Sequence, residues 1–229
     1  MKMRNFFLPA IFATTLFVSA TLLFSVQPMI AKMLLPLLGG APAVWNTCMV
    51  FFQTMLLAGY AYAHYTSAWL GFRRQASLHV LLLVAAGMFL PVAISRDASL
   101  VPPSSTNTVF WLLGNLLLIA GLPFFMVSTT SALLQKWFSH TAHPAANDPY
   151  FLYSASNLGS LLALLAYPAV IEPFLRLQTQ SRLWSAGYAL LVSLIAACAM
   201  LIWRAKVTHP IVVSASASCP PAPRGACAN

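Results

Sequence analysis

The segment DPYFLYSASNLGSLLALLAYPAVIEP, residues 148–173, has the pattern of a membrane-spanning helix with two unlike faces. At about 100° per residue, its small side chains gather on one arc and its leucines on the opposite arc. In lipid, a small-residue surface lets another backbone approach closely, whereas a leucine surface gains nothing by leaving hydrocarbon. We therefore predict that the small face packs on protein and that the leucine face meets lipid. The small face consists of Ala155, Ser156, Gly159, Ser160, Ala163 and Ala166, and the leucine face of Leu158, Leu161, Leu162 and Leu165.

Polar residues of this segment have structural explanations. Asn157 lies at the margin of the two arcs, and an amide in hydrocarbon is costly without a partner, so we expect it to point into the bundle. Asp148 can accept hydrogen bonds from the free N–H groups of the first turn, and Pro149 suits the first helical position. We interpret Asp148 as an N-cap rather than as a catalytic acid.

The composition predicts a polytopic membrane protein. The chain has 229 residues, of which 60% are hydrophobic and 7% are charged, and its acids are Asp97, Asp148 and Glu172. So few charges cannot solvate a soluble domain, and repeated apolar runs can cross a hydrocarbon layer of roughly 30 Å. The net charge of +9 does not indicate nucleic-acid binding, because the basic residues are scattered among short connections. We expect them to face anionic lipid, and the lipid bilayer to be the partner.

Cysteine and histidine give little indication of a metal or cofactor. Cys48 and Cys198 lie inside apolar runs, and no cysteine pair has metal-site or redox spacing, so free buried thiols are expected. His140 and His143 lie near Asp148, but a metal site needs more ligands of fixed geometry than this loop offers. We predict a solvated surface there, with no metal and no cofactor.

Apolar runs and the breakers between them predict an all-α transmembrane bundle with six spans. Gln27 and Pro28 interrupt the first run, and residues 29–38 are too short to cross again yet contain Lys32, so they should be interfacial or re-entrant. Gly121 and Pro123 should kink the fourth span. The expected spans are residues 6–26, 43–65, 77–94, 108–134, 148–173 and 182–203, which gives a membrane domain over 1–203 and a disordered tail, rich in Ala, Ser and Pro, over 204–229.

The distribution of Lys and Arg predicts the orientation, because these residues collect in cytoplasmic loops. Both termini are expected to be cytoplasmic. The cytoplasmic set would be Lys2, Arg4, Arg73, Arg74, Lys136, Arg204, Lys206 and Arg224, and the external set Lys32, Arg96, Arg176 and Arg182.

A short internal similarity relates the first and fourth spans. The sequence VSAT at 18–21 matches VSTT at 127–130. Repeats of three plus three helices are common in secondary transporters, which bind substrate at the membrane midplane near broken helices.

Three motifs together resemble a family. They are SVQPMIAKMLLPLLGGAPAVWNTCMVFFQTMLLAGYAYAH at 25–64, GLPFFMVSTTSALLQKWF at 121–138 and DPYFLYSASNLGSLLALLAYP at 148–168. Over about residues 17–191 the chain resembles bacterial membrane proteins labelled spermidine-synthase-like, or fused major-facilitator/spermidine synthase. The resemblance implies a multi-pass protein of the bacterial inner membrane that is built like half of a major-facilitator transporter. A second copy or a missing C-terminal membrane half would complete it.

Some members of that family continue into a soluble aminopropyltransferase-like domain with a glycine-rich loop and catalytic acids. Nothing in this chain resembles that domain. Aminopropyl transfer needs an acid that holds and deprotonates an amine, and a cradle for the sulfonium donor. We therefore expect no enzyme activity, and an aminopropyltransferase could only be a partner.

Six intramembrane polar residues are candidates for substrate binding. Lys32 either snorkels to the headgroups or takes part in binding, and Glu172 either pairs with Arg176 or attracts a cation. The four amides either line a polar pathway or form interhelical hydrogen bonds. The candidates are Gln27, Lys32, Asn46, Gln53, Asn157 and Glu172.

Three functions remain open from the sequence. The first is a transporter-like module, which the broken helices and intramembrane amides favour. The second is a membrane anchor or scaffold for a polyamine aminopropyltransferase. The third is a truncated fragment of a longer membrane protein.

Overall fold

The computed structural model describes residues 2–38, 40–92, 108–141 and 143–204, and within these ranges the regular structure is entirely helical. The all-helical prediction is therefore confirmed for the described part. A π-helical turn, Leu117–Gly121, interrupts the fourth helix, and another, Tyr167–Ile171, interrupts the fifth. The six long helices are α1 Lys2–Leu38, α2 Pro42–Trp69, α3 Gly71–Gly87, α4 Thr108–Ser139, α5 Tyr150–Phe174 and α6 Leu177–Arg204.

Four of these described helices are long and apolar enough to cross a membrane, namely α1, α4, α5 and α6. Helix α2 has 28 residues and carries Asn46, Gln53 and His64, and α3 has 17 residues. The prediction of six spans is thus met for four of the described helices, and α2 and α3 are not among those four.

The predicted break in the first helix is wrong. Helix α1 runs for 37 residues through Pro28, so the stretch 29–38 is neither re-entrant nor a separate interfacial segment. Proline removes one backbone donor, here the one that would bond to Phe24 O, and helices in a bundle tolerate this loss where neighbouring helices and local adjustments compensate. Helix α1 is packed against three other helices of the bundle.

Several predicted boundaries also differ from the structure. Helix α3 starts at Gly71, before the predicted start at 77, and α6 starts at Leu177, before the predicted 182. Helix α4 continues to Ser139, so the predicted loop at 135–147 begins too early. A π turn precedes Pro123 where we expected a simple kink. Residues 95–107, between the third and fourth predicted spans, lie outside the described residues, as does the predicted tail 204–229 except for Arg204, which is the last residue of α6.

Helices α1 and α4 are the centre of the bundle. Helix α1 packs against α4, α5 and α6, whereas α4 packs against α1, α2 and α3, and α3 also contacts α6. If α1 is exchanged with α4, α2 with α5 and α3 with α6, the neighbours of α1 become those of α4. At the centre, the two segments of the internal similarity meet, because Ser19 Oγ donates to Val127 O at 3.4 Å.

Two buried glutamines strengthen the correspondence between the halves. Gln75, near the start of α3, donates to Thr66 Oγ1 at 3.0 Å and to Ser67 Oγ at 2.7 Å, both at the end of α2. Gln180, near the start of α6, donates to Leu175 O at 2.8 Å, just after α5 ends. Each therefore ties a helix to the one that precedes it in its own half.

Candidate functional site: a polar cleft

A cleft of about 680 Å³ opens between α1, α2, α4 and α5. Each of these four helices contributes one carboxamide side chain to its wall. Around the amides lie serine hydroxyls, including Ser19, Ser131 and Ser160, together with the rings of Tyr60 and Tyr153. The four amides of the polar cleft are Gln27, Gln53, Gln135 and Asn157.

Three of these amides, Gln27, Gln53 and Asn157, were candidates from the sequence, and the structure brings them into one cleft. Gln135 was missed because we ended the fourth helix at Leu134. Its spacing from Ser128 and Ser131, at i+7 and i+4, places it on the hydroxyl-bearing face of α4. That spacing is the signal that could have identified it.

The amides differ in how they are bonded. Gln27 Nε2 donates within α1 to Leu23 O at 3.4 Å, and Gln135 Nε2 donates to Ser131 Oγ at 3.2 Å. Gln53 and Asn157 are exposed at the mouth of the cleft. Two of the four amides thus present their hydrogen-bonding groups to whatever fills or covers the cleft.

The hydroxyls of α4 support the wall of the cleft. Ser128 Oγ donates to Phe125 O at 2.7 Å within its own helix and lies 3.4 Å from Met55 O of α2. Thr129 and Thr130 bond back to Met126 O at 2.8 and 3.1 Å. These hydroxyls bond both to their own helix and across to a neighbour.

The remaining candidates lie away from the cleft. Asn46 is exposed near the start of α2 and is absent from the cleft wall. Lys32 Nζ lies 3.1 Å from Glu172 Oε1, so the expected pair of Glu172 with Arg176 is replaced by a pair between α1 and α5. Both side chains are partly exposed, which places this ion pair at the surface of the bundle.

Helix α5 carries the two predicted faces. Gly159 and Ala163 are buried, and the principal neighbour of this helix is α1. Ser156 and Ser160 line the polar cleft, whereas Ala166 lines a second groove and Ala155 is half-buried. The exposed residues are Leu158, Leu161, Leu162 and Leu165.

Asp148 accepts a hydrogen bond at the start of α5, but it lies one residue before the N-cap, the position that we predicted for it. Pro149 rather than Asp148 is the N-cap, and Tyr150 N–H donates to Asp148 Oδ1 at 3.4 Å.

His140 Nδ1 lies 2.7 Å from Lys136 O, and His143 Nδ1 accepts from Ala145 N–H at 3.1 Å. Over the described residues, no group of three His, Cys, Asp or Glu side chains is placed to hold a metal ion. Cys48 and Cys198 are buried free thiols, as expected.

A second polar cluster, which the sequence did not indicate, is buried between α2, α3 and α4. Trp137 Nε1 donates to Gln75 Oε1 at 3.2 Å. The ring of His79 lies 6.1 Å from that of Trp137 and 6.2 Å from that of Tyr62. Neither nitrogen of His79 nor the hydroxyl of Tyr62 has a hydrogen-bond partner among the described residues.

The described part of the chain is all-helical and has helices long and apolar enough to cross a membrane. Its cleft is lined by polar groups that carry no charge. Comparison with protein-family models, with curated proteins and with solved structures finds no match.

Proposed function

We propose that this chain is an integral membrane protein, a transporter-like helical module in which the polar cleft forms one wall of a pathway for solute. The observation that carries the proposal is the convergence of four amides, one from each of four helices, on a cleft of about 680 Å³. Small-molecule sites in proteins usually have a volume in this range and a few polar groups that converge on the ligand.

Burial costs argue against leaving this cleft open to lipid. An amide without a partner in hydrocarbon costs several kcal/mol, as a rough range from transfer measurements. Gln53 and Asn157 are exposed at the mouth of the cleft, so they need water, a solute or further protein. A transport pathway would provide water or solute at this face. Hydrogen bonds between helices do not explain why Gln53 and Asn157 are exposed.

The chemistry of the wall favours an uncharged polar solute. The described wall carries amides, hydroxyls and aromatic rings, but no carboxylate, amine, guanidinium or imidazole group. A polyamine would lose hydration at several ammonium groups without meeting an opposite charge, which is unfavourable in a membrane interior. Carboxamides and hydroxyls, by contrast, both donate to and accept from a neutral solute.

The cleft is open where Gln53 and Asn157 are exposed, so a pathway needs a further wall there. We propose that a second copy of the chain, or membrane helices of a longer chain, supply it. This agrees with the half-transporter that the resemblance to spermidine-synthase-like proteins implies. An anchor for a separate aminopropyltransferase would have no use for a polar cleft, which is why we favour the transporter-like module.

Cysteine reactivity tests whether the cleft is an aqueous pathway. Thiols react as thiolates, which form in water and not in hydrocarbon. In a background without the native cysteines, Asn157→Cys and Gln53→Cys should react with a small hydrophilic thiol reagent about tenfold faster or more than matched controls. The controls are Leu161→Cys and Leu165→Cys, on the exposed leucine face of the same helix as Asn157. Equal rates at 157 and 161 would reject the pathway.

A further inference from the structure

A groove distinct from the polar cleft lies between α1, α5 and α6. Its volume is about 290 Å³, and apolar side chains such as Phe17, Met29 and Leu162 form most of its wall. Its polar groups are already bonded: Tyr167 Oη donates to Gln180 Oε1 at 2.9 Å, and Trp184 Nε1 donates to Leu22 O at 2.9 Å. The groove therefore offers apolar surface without a free polar group that would favour water.

The length of the groove matches one lipid chain. On α1 its wall extends from Phe17 to Met29, which at 1.5 Å per residue is about 18 Å along the helix axis. One leaflet of a bilayer with a hydrocarbon core of roughly 30 Å is about 15 Å deep. An acyl chain can thus lie along the whole groove.

One end of this groove is positively charged. Lys32 lies one turn beyond Met29, and its partner Glu172 is next to Ile171, which also lines the groove. Arg176 and Arg182 lie where α6 begins; both are exposed, and in the described part of the chain neither is paired with a carboxylate. The side chain of a helical residue leans towards the helix start, so Arg182 reaches back towards this end. Cations therefore outnumber carboxylates here.

We infer that the groove binds an anionic phospholipid, with an acyl chain along α1 and the headgroup phosphate against Lys32, Arg176 and Arg182. Guanidinium groups bind phosphate through paired hydrogen bonds, and basic pockets between membrane helices bind anionic headgroups. A zwitterionic lipid gives the same acyl contact but does not neutralise the excess cations. This inference rests on the proposed membrane insertion and not on transport through the cleft.

Native mass spectrometry of the full chain tests this site. Protein in mild detergent is titrated with equal amounts of phosphatidylglycerol and phosphatidylcholine that carry the same acyl chains. We expect the phosphatidylglycerol adduct to dominate. Each basic residue near a lipid surface contributes about 1 kcal/mol, which is about fivefold in binding, so Arg176→Gln/Arg182→Gln should reduce the preference by fivefold or more. Arg73→Gln/Arg74→Gln, which removes the same charge from exposed positions of α3 that do not line the groove, should keep the preference.

A blocking variant tests the acyl groove itself. Ala166 lines the groove, so Ala166→Phe should remove both lipid adducts, whereas Leu165→Phe, on the exposed face, should retain them. Equal retention of the two lipids by the parent, or an unchanged preference in the Arg176→Gln/Arg182→Gln variant, would overturn the inference. If Ala166→Phe is not monodisperse, the surface arginine variants decide. Lipid retention is measured independently of cysteine reactivity in the cleft, so the two proposals can fail separately.

Discussion

Gly159 of α5 lies directly against the backbone of Phe17 of α1, so closely that a Cβ atom at position 159 would be 2.5 Å from the Phe17 carbonyl oxygen. Real Cβ atoms do not approach a carbonyl oxygen so closely, and the obstacle is backbone, which cannot rotate away. Thr21 Oγ1 lies 3.4 Å from Gly159 O at the same crossing. Helix α1 therefore meets α5 through backbone contacts rather than through interdigitated side chains.

This crossing predicts a large difference between two glycine substitutions. Gly159→Ala forces the helices apart and should destabilise the protein by about 1–3 kcal/mol, the usual cost of overpacking. Gly114 in α4 is the matched control, because a Cβ there meets nothing within 4 Å. Gly114→Ala should be neutral or stabilising by up to about 1 kcal/mol through helix propensity. Thermal retention of monodisperse protein in detergent measures both.

Substitutions on the small-residue face and on the leucine face of α5 give a second test of the contact between α1 and α5. Gly159→Leu should be more destabilising than Gly159→Ala, whereas Leu161→Ala should cost little because lipid or detergent chains fill the space. If Gly159→Leu retained parental stability while Leu161→Ala lost it, the assignment of the faces would be reversed.

The two glutamine junctions predict matched losses in the two halves. Trp137→Phe leaves Gln75 Oε1 without its donor, and Tyr167→Phe does the same to Gln180 Oε1. Leaving a buried acceptor unpaired costs about 1–3 kcal/mol, so both variants should lower the melting temperature. Tyr150→Phe, at an exposed position, should not. A loss in one half only would show that the two junctions are not equivalent.

His79 is expected to be dispensable for stability. It is 1% exposed, and neither of its ring nitrogens has a hydrogen-bond partner in the part of the chain that the structure describes. Replacing a buried, unbonded polar group by an apolar group of similar shape is neutral or stabilising, so His79→Phe should match or exceed the parent in thermal retention. His79→Ala, which leaves a cavity, should be less stable than His79→Phe by about 2 kcal/mol or more. A clear loss in His79→Phe would mean that a bound water or solute bonds to the imidazole.

The isolated chain should have no aminopropyltransferase activity. Two of its three acids have structural contacts, since Glu172 pairs with Lys32 and Asp148 accepts from Tyr150 N–H. A transferase needs a carboxylate that holds and deprotonates the amine. Purified protein with decarboxylated S-adenosylmethionine and putrescine should form no spermidine above background. Product that persisted after removal of contaminating enzyme would contradict this.

Local sequence features predicted the helices well, but not where they end. Apolar runs identified the six long helices of the described part, because each must cover an apolar surface. Pro28 indicated a break, yet α1 passes through it and packs against three other helices. Gln135 indicated a loop, yet it is helical and lines the cleft. Tertiary packing, which local propensity does not contain, overrides the proline, whereas the spacing of Gln135 from Ser131 is a local signal.

The candidate site was only partly predictable for a related reason. Amides within apolar runs identified Gln27, Gln53 and Asn157, because such residues are costly unless they have a role. The pairing of Lys32 with Glu172 joins helices far apart in the chain, and no spacing rule within one helix indicates it. The cluster of His79 with Tyr62 and Trp137 spans three helices, so it became visible only in the folded bundle.

The central position of α1 has a consequence for biosynthesis. This helix leaves the ribosome before α4, α5 and α6, the partners that cover it, so it must wait in the bilayer without them. Two of its hydroxyls are suited to that delay. Thr15 Oγ1 already donates to Ile11 O at 2.6 Å, and Thr21 Oγ1 to Phe17 O at 2.8 Å, both within α1. These two hydroxyls therefore cost little when α1 enters lipid alone, whereas Ser19 Oγ, which donates to Val127 O, gains this partner only when α4 docks.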